Sequence, residues 1–179
     1  MKHSFLFAVV FGLAVSTRAG ELVPLERAHS HNDYAQKRPL VEAMENGFGS
    51  VEADIHLVDG KLLVGHNAED LRADRTLERM YLDPLKARVE KNGGRVYRDG
   101  PSVTLLIDIK TEAELTYSRL KEVLERYRSM LTAFKGDKIE TNAVTVILSG
   151  NRPRAMLLGE ADRLAAFDGR VRYLGHDLP

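Results

Sequence analysis

Val103-Thr104-Leu105-Leu106-Ile107-Asp108-Ile109-Lys110 is a nearly unbroken run of apolar β-formers that ends in two charged residues. A strand that is apolar at consecutive positions reads as buried on both faces, the pattern of a parallel sheet covered by helices. On its C-terminal side, Thr111-Glu112-Ala113-Glu114 reads as a capping box. The helix it opens carries Leu120, Val123, Leu124, Tyr127, Leu131 and Phe134 at helical spacing, a core-facing stripe. Val144 to Leu148 is a second buried strand, closing with Ser149-Gly150-Asn151-Arg152. Pro153 to Leu158 reads as a short helix, and Leu164 to Phe167 as a further strand ending at Asp168-Gly169.

The pattern continues toward the N-terminus. Asp59-Gly60 is a tight-turn signal between an apolar strand, Ser50 to Leu57, and an extended piece, Lys61 to Val64, that runs into Gly65-His66. Thr76 to Met80 and Pro84 to Asn92 read as helical. Pro39 opens another short helix that Gly47 stops, following the usual asymmetry of proline at the start and glycine past the end. Leu22 to Ala28 is a strand candidate followed by His29-Ser30-His31-Asn32-Asp33. Strand and helix alternate, so the chain is α/β with a parallel sheet and right-handed crossovers. About five strand–helix units fit. Eight units and typically ~250 residues make a closed barrel, so these units are either an incomplete barrel or a small open sheet.

Residues 1–19 stand apart. Lys2 and His3 precede an apolar run, Phe5 to Val15, too short for a membrane span, and Ser16-Thr17-Arg18-Ala19 is a small-residue exit. This is the layout of a secretory signal peptide cleaved after Ala19, which predicts an exported domain over residues 20–179, periplasmic or secreted. No later segment is long and apolar enough to span a bilayer. The 26 basic and 26 acidic side chains balance, which argues against nucleic acid as a partner. With no cysteine there are no disulfides, and metal ligands must be His, Asp or Glu.

The strand ends concentrate chemistry. In Ser50-Val51-Glu52-Ala53-Asp54-Ile55-His56, Glu52 and Asp54 are two apart and share a strand face. Like charges so placed repel unless a cation sits between them, and oxygen ligands suit a divalent one. Asp108 and Lys110 repeat the spacing on another strand. His29, His31 and Asn32 follow the first strand, His66 follows the extended piece, and Arg152 follows the strand at Val144 to Leu148. Gathered at one edge, the set offers carboxylates for a metal, imidazoles for proton transfer and Lys110 and Arg152 for an anion. That combination suits cleavage of a phosphodiester. Each element also has a plainer reading. Glu52 and Asp54 can be a solvated strand face, Asp108 and Lys110 a salt bridge, the histidines core or turn residues, and Arg152 a helix cap.

The strings Ala28-His29-Ser30-His31-Asn32, Ser50-Val51-Glu52-Ala53-Asp54, Asp59-Gly60, Gly65-His66 and Leu105-Leu106-Ile107-Asp108-Ile109-Lys110 resemble the phospholipase C-like phosphodiesterase superfamily. That superfamily includes the glycerophosphodiester phosphodiesterases. The sequence from His29 to Asp54 is most similar to the group of altered-inheritance-of-mitochondria type. The resemblance implies a (β/α)8 TIM barrel, of which this chain holds about five units, and hydrolysis of a small-molecule or lipid phosphodiester with bound Mg²⁺ or Ca²⁺. It implies that Glu52, Asp54 and Asp108 are metal ligands, that Lys110 faces phosphate, and that His29 and His66 are the two catalytic histidines. His31 competes with His29 for the first of those places. Asn32 and Arg152 join Lys110 on the substrate phosphate. Two other readings compete. His-x-His after a first strand also opens amidohydrolase-type metal sites, and the short chain also fits a non-catalytic phospholipid- or phosphate-binding relic.

Overall fold

The computed structural model describes residues 22–169. In chain order the strands are β1 (Leu25–Ser30), β2 (Phe48–Val58), β3 (Lys61–Val64), β4 (Val103–Ile109), β5 (Ala133–Lys135), β6 (Lys138–Glu140), β7 (Val144–Gly150), β8 (Asp162–Arg163) and β9 (Ala165–Phe167). The helices are α1 (Val41–Glu45), α2 (Asp83–Lys91), α3 (Ala113–Glu125) and α4 (Arg154–Gly159). One turn of π-helix, Glu78–Leu82, leads into α2. No helix among the described residues is long and apolar enough to cross a membrane.

The central sheet has six strands. Five are parallel in the order β1-β2-β4-β7-β9, and β3 pairs antiparallel with β2. The five parallel strands therefore stand side by side in chain order. Nothing reverses that order, as it would in a doubly wound sheet, and successive right-handed crossovers put their helices on one face. The sheet is open, and among the described residues no barrel is closed. The fold is α/β with a mostly parallel sheet, as expected.

Burial along the strands follows from this one-sided cover. β4 alternates between fully and partly buried positions, with Val103, Leu105, Ile107 and Ile109 at the buried ones. β7 does the same with Val144, Val146 and Leu148. The expectation that Val103 to Ile107 is buried on both faces is thus corrected: Thr104, Leu106 and Asp108 line a face that lacks helices. On β2 the same division puts Val51, Ala53 and Ile55 under the helices and Ser50, Glu52, Asp54 and His56 on the other face.

β1 pairs with β2 only as far as Val51, and β3 joins β2 from Ile55 onward. Between those limits lie Glu52, Ala53 and Asp54. The loop after β1 and the turn after β3 converge on this short interval. Asp59 and Gly60, with φ of 47° and 73°, make the two-residue turn between β2 and β3 that their sequence signals.

Three local expectations are corrected. The N-cap of α3 is Glu112, whose carboxylate accepts from the amides of Glu114 (3.0 Å) and Leu115 (2.7 Å). Thr111 is drawn off instead by the end of β2, accepting from the Leu57 amide at 2.9 Å. The helix ends at Glu125, so Tyr127, Leu131 and Phe134 do not extend its stripe. Phe134 belongs to β5, in a small antiparallel sheet of order β6-β5-β8 that the helical spacing hides. β1 reaches Ser30, so His29 stands on the strand and not after it.

Asp33 fixes the loop after β1. It is wholly buried and accepts from Ser30 Oγ at 2.9 Å, the Leu40 amide at 2.5 Å and the Tyr81 hydroxyl at 3.0 Å. Tyr81 thereby ties the loop to the turn before α2, and burial, with the Asp33 charge and bond adding, drives its phenol pKa strongly upward. Removing the carboxylate strands three donors, one of them a backbone amide, at roughly 1–3 kcal/mol for each buried one left unpaired. Asp33→Ala is expected to lower the urea midpoint by the equivalent of about 2–5 kcal/mol. An unchanged midpoint would show that the loop is held by other contacts.

Candidate functional site

Glu52, Asp54 and Asp108 offer carboxylate oxygens that all lie within 4.8 Å of one another, and they form the only group of three or more potential metal ligands among the described residues. Parallel pairing sets this up. Asp54 stands opposite Asp108 in the β2–β4 register, and Glu52 is two residues back on the same face. Glu52 and Asp54 are 6% and 0% exposed.

Asp54 is the hub. Its Oδ2 receives the Tyr34 hydroxyl at 2.8 Å, lies 2.9 Å from His66 Nδ1 and pairs with Lys110 Nζ at 3.0 Å. Its Oδ1 is buried without a hydrogen-bond partner, an unusual state for a carboxylate oxygen. Lys110 Nζ also reaches Asp108 Oδ1 at 3.0 Å. Burial alone would lower the lysine's pKa, but the bonds and charges of Asp54 and Asp108 outweigh it, and the net shift is upward. The ammonium thus stays charged. The Tyr34 phenol is pushed far up, first by burial and then by its bond to Asp54, so it remains a donor.

The donor set fits a hard divalent cation. It has three oxygen ligands, one orphaned buried oxygen, and no cysteine. The backbone leaves space for Asp108 as well. Gly150 has φ +68°, and a Cβ there would lie 2.3 Å from Asp108 Oδ1 and 2.5 Å from the Ile109 carbonyl oxygen. Only glycine fits this cradle.

The histidines take distinct places. His66 Nδ1 donates to Asp54, which leaves Nε2 free on a side chain that is 55% exposed. The turn carrying His66 is fixed by His56, a buried imidazole whose Nε2 donates to the Gly65 carbonyl at 3.1 Å. His29 Nδ1 is 2.8 Å from Ser50 Oγ. His31 Nε2 is 3.4 Å from Glu52 Oε2, and the rings of His29 and His31 are 6.4 Å apart. Neither is one of the three groups whose ligand atoms converge. Asn32 has φ 49° and donates its amide to Glu52 Oε2 at 2.9 Å. Its side-chain oxygen is 2.8 Å from the Tyr34 hydroxyl.

His29, His31, Asn32, Glu52, Asp54, His66, Asp108 and Lys110 are therefore brought to one face. Arg152 is not bonded to any of them. Its side chain is 3% exposed, its guanidinium meets the carboxylate and backbone carbonyl of Asp168, and it lies over the Phe167 ring. Sequence reasoning missed Tyr34, Asp33 and His56. The signal for the first two was present in Asn32-Asp33-Tyr34, a polar–aromatic run directly behind a strand. His56 continues the alternation of Glu52 and Asp54.

An AIM6-like phosphodiesterase domain model matches residues 18–168. Altered inheritance of mitochondria protein 6 of Saccharomyces cerevisiae is 34% identical, over 99% of this chain and 55% of its own length. The protein of that name from Lachancea thermotolerans is 40% identical, over 91% of this chain and 42% of its own. A homolog from Arthroderma benhamiae is 30% identical, over 86% and 55%. The chain thus spans about half the length of the curated relatives it matches. No solved structure matches it significantly. These relatives correct the expected export. Their name ties them to the inheritance of mitochondria, a cellular context and not a secreted one, and the supposed leader at residues 1–19 lies outside the described residues. The match runs through nearly every residue of the described fold and through the whole carboxylate cluster, and the chain belongs to the AIM6-like phosphodiesterase domain family.

Proposed function

We propose that the chain carries the working face of a metal-dependent phosphodiester hydrolase. The observation that carries this reading is the convergence on Asp54 of a lysine, an imidazole and a phenol, beside two further carboxylates. Glu52, Asp54 and Asp108 would hold Mg²⁺ or Ca²⁺. Such an ion, when bound, offsets charge on the non-bridging phosphate oxygens and polarises the phosphorus centre.

The chain's own groups supply the rest. Lys110 holds a positive charge at the carboxylate edge, where it can shift toward an arriving phosphate. Asp54 orients His66 by accepting from Nδ1, so Nε2 can take or give a proton at a reacting oxygen. Ser50 Oγ orients His29 from the neighbouring strand through its contact with Nδ1. Attacking and leaving oxygens lie on opposite sides of phosphorus, and His29 and His66 come from opposite borders of the Glu52–Asp54 interval, one on β1 and one after β3. His29 is the better oriented of the two candidates for the first role, because His31 has only the longer approach to Glu52. The sequential parallel strands, with a polar half-open face, favour the wall of a (β/α)8 barrel as the larger architecture.

Hydrolysis of bis-p-nitrophenyl phosphate by this chain, and by a version extended to the length of its relatives, is expected to require Mg²⁺ or Ca²⁺ and to stop with EDTA. His66→Ala and His29→Ala are each expected to lower kcat by about 10²–10⁴-fold with the urea midpoint unchanged. Wild-type rates in either variant would remove the mechanism. Metal binding is a separate matter, read by calorimetry without substrate. Glu52→Gln and Asp54→Asn are each expected to weaken divalent-ion affinity by roughly 10–100-fold, and equal affinity in the variants would reassign the ligands.

A further inference from the structure

Between the chain segments that follow β1 and β3 lies an open groove of about 420 Å³, within the roughly 300–1,000 Å³ span of small-molecule sites. Lys37, Arg72, Arg75 and Arg79 line it, with Asp74 as the only carboxylate. Asp74 is already engaged, 3.4 Å from Arg72 Nε, and it is held below the usual carboxylate range by its own backbone hydrogen bond and then by Arg72. The other carboxylate of the stretch, Glu78, pairs with Arg126 at 2.8 Å. Lys37 and Arg79 are exposed and form no salt bridge among the described residues. Arg75 is anchored, donating to the Tyr34 carbonyl.

The two walls of the groove are the two segments that build the site. Residues 36–39 continue the loop that carries His31, Asn32 and Tyr34. Residues 72–80 continue the segment that begins at His66, and Val64 donates its amide to the Arg75 carbonyl at 2.8 Å. Tyr34 joins both regions, its hydroxyl on Asp54 and its carbonyl on Arg75.

We infer that this groove is a second anion subsite, which takes a phosphomonoester carried by the substrate next to the scissile phosphodiester. Arg72 is held by Asp74 and Arg75 by the Tyr34 carbonyl, which leaves Lys37 and Arg79 in no salt bridge among the described residues and a surplus of positive charge that suits an anion better than a neutral or zwitterionic substituent. Guanidinium groups bind phosphate oxygens in pairs of hydrogen bonds. The inference names the substrate class of the proposed hydrolase and rests on that reading.

The groove is tested first without turnover. The full chain is titrated with inorganic phosphate in metal-free buffer, where the carboxylate cluster repels an anion, and backbone amide shifts are followed by NMR. Shifts confined to residues 36–39 and 72–80, weakened about tenfold in Lys37→Gln/Arg79→Gln and by added salt, are expected. Absent shifts there, or equal affinity in the double variant, would overturn the subsite. Turnover is then compared between bis-p-nitrophenyl phosphate and a p-nitrophenyl diester of glycerol that bears a phosphomonoester. The double variant should raise KM for the second substrate about tenfold and leave the first unchanged; an equal effect on both would also overturn it. Co-sedimentation with phosphatidylcholine vesicles that contain phosphatidic acid, but not with vesicles lacking it, would assign the phosphate to a lipid headgroup; phosphate binding without such sedimentation would assign it to a soluble one. Phosphate binding in the groove with no diester hydrolysed would leave the subsite standing and remove the hydrolase reading.

Discussion

Three carboxylates within 4.8 Å of one another, two of them shut off from solvent, are the constraint around which this site is arranged. At an effective dielectric near 20, unit charges that close repel by roughly 3 kcal/mol for each pair. Burial raises the cost further, because neither Glu52 nor Asp54 keeps its hydration. The protein answers with neutral and cationic donors: the Asn32 amide on Glu52, and Tyr34, His66 and Lys110 on Asp54. Lys110 brings one positive charge against three negative ones. The remaining imbalance, with Asp54 Oδ1 left unbonded, is the electrostatic case for a cation at this place.

The sheet topology makes that arrangement possible. Strands laid down in chain order put helices over one face only, so Val51, Ala53, Ile55, Leu105, Ile107 and Leu148 form the core, while Glu52 and Asp54 lie on the other face under the loop after β1 and the turn after β3. Polar residues can occupy alternate positions of central strands because hydrogen-bonding loops, not apolar helices, cover them. The break between β1 and β3 along the border of β2 then exposes Glu52 and Asp54 to two loops at once. Asp33 and Tyr81 anchor one of those loops and His56 the other, so the histidines ride on segments that buried hydrogen bonds hold in place.

Much of this was legible in the sequence where a residue's meaning is local. The i, i+2 spacing of Glu52 with Asp54 and of Asp108 with Lys110 gave a shared face from strand geometry alone, and Asp59-Gly60 gave its turn. What could not be read was decided by partners distant in the chain. Arg152 looks like a phosphate ligand until Asp168 and Phe167 fold over it. Thr111 looks like a cap until the Leu57 amide takes its hydroxyl. Phe134 fits a helical stripe until Arg163 and Ile139 pair with it as a strand. Tyr34 was passed over because an aromatic in a loop has no periodicity to betray it. Its importance lies in a hydroxyl that meets Asp54, twenty residues away.

Tyr34 also shows how the parts of the site constrain one another. A phenol has one proton, yet its oxygen lies 2.8 Å from both Asp54 Oδ2 and Asn32 Oδ1. It cannot donate to both. Donation to the charged carboxylate is the stronger bond, and the upward displacement of its pKa keeps the proton on oxygen. The Asn32 side chain must then present its amide group to the phenol oxygen, the flipped orientation of the same planar group. With that choice the order of hydrogen bonds runs from Asn32 through Tyr34 to Asp54. His66 donates to the same Oδ2 from Nδ1, which leaves its Nε2 as an acceptor facing outward. A single buried carboxylate thus sets the rotamer of Tyr34, the orientation of Asn32 and the tautomer of His66.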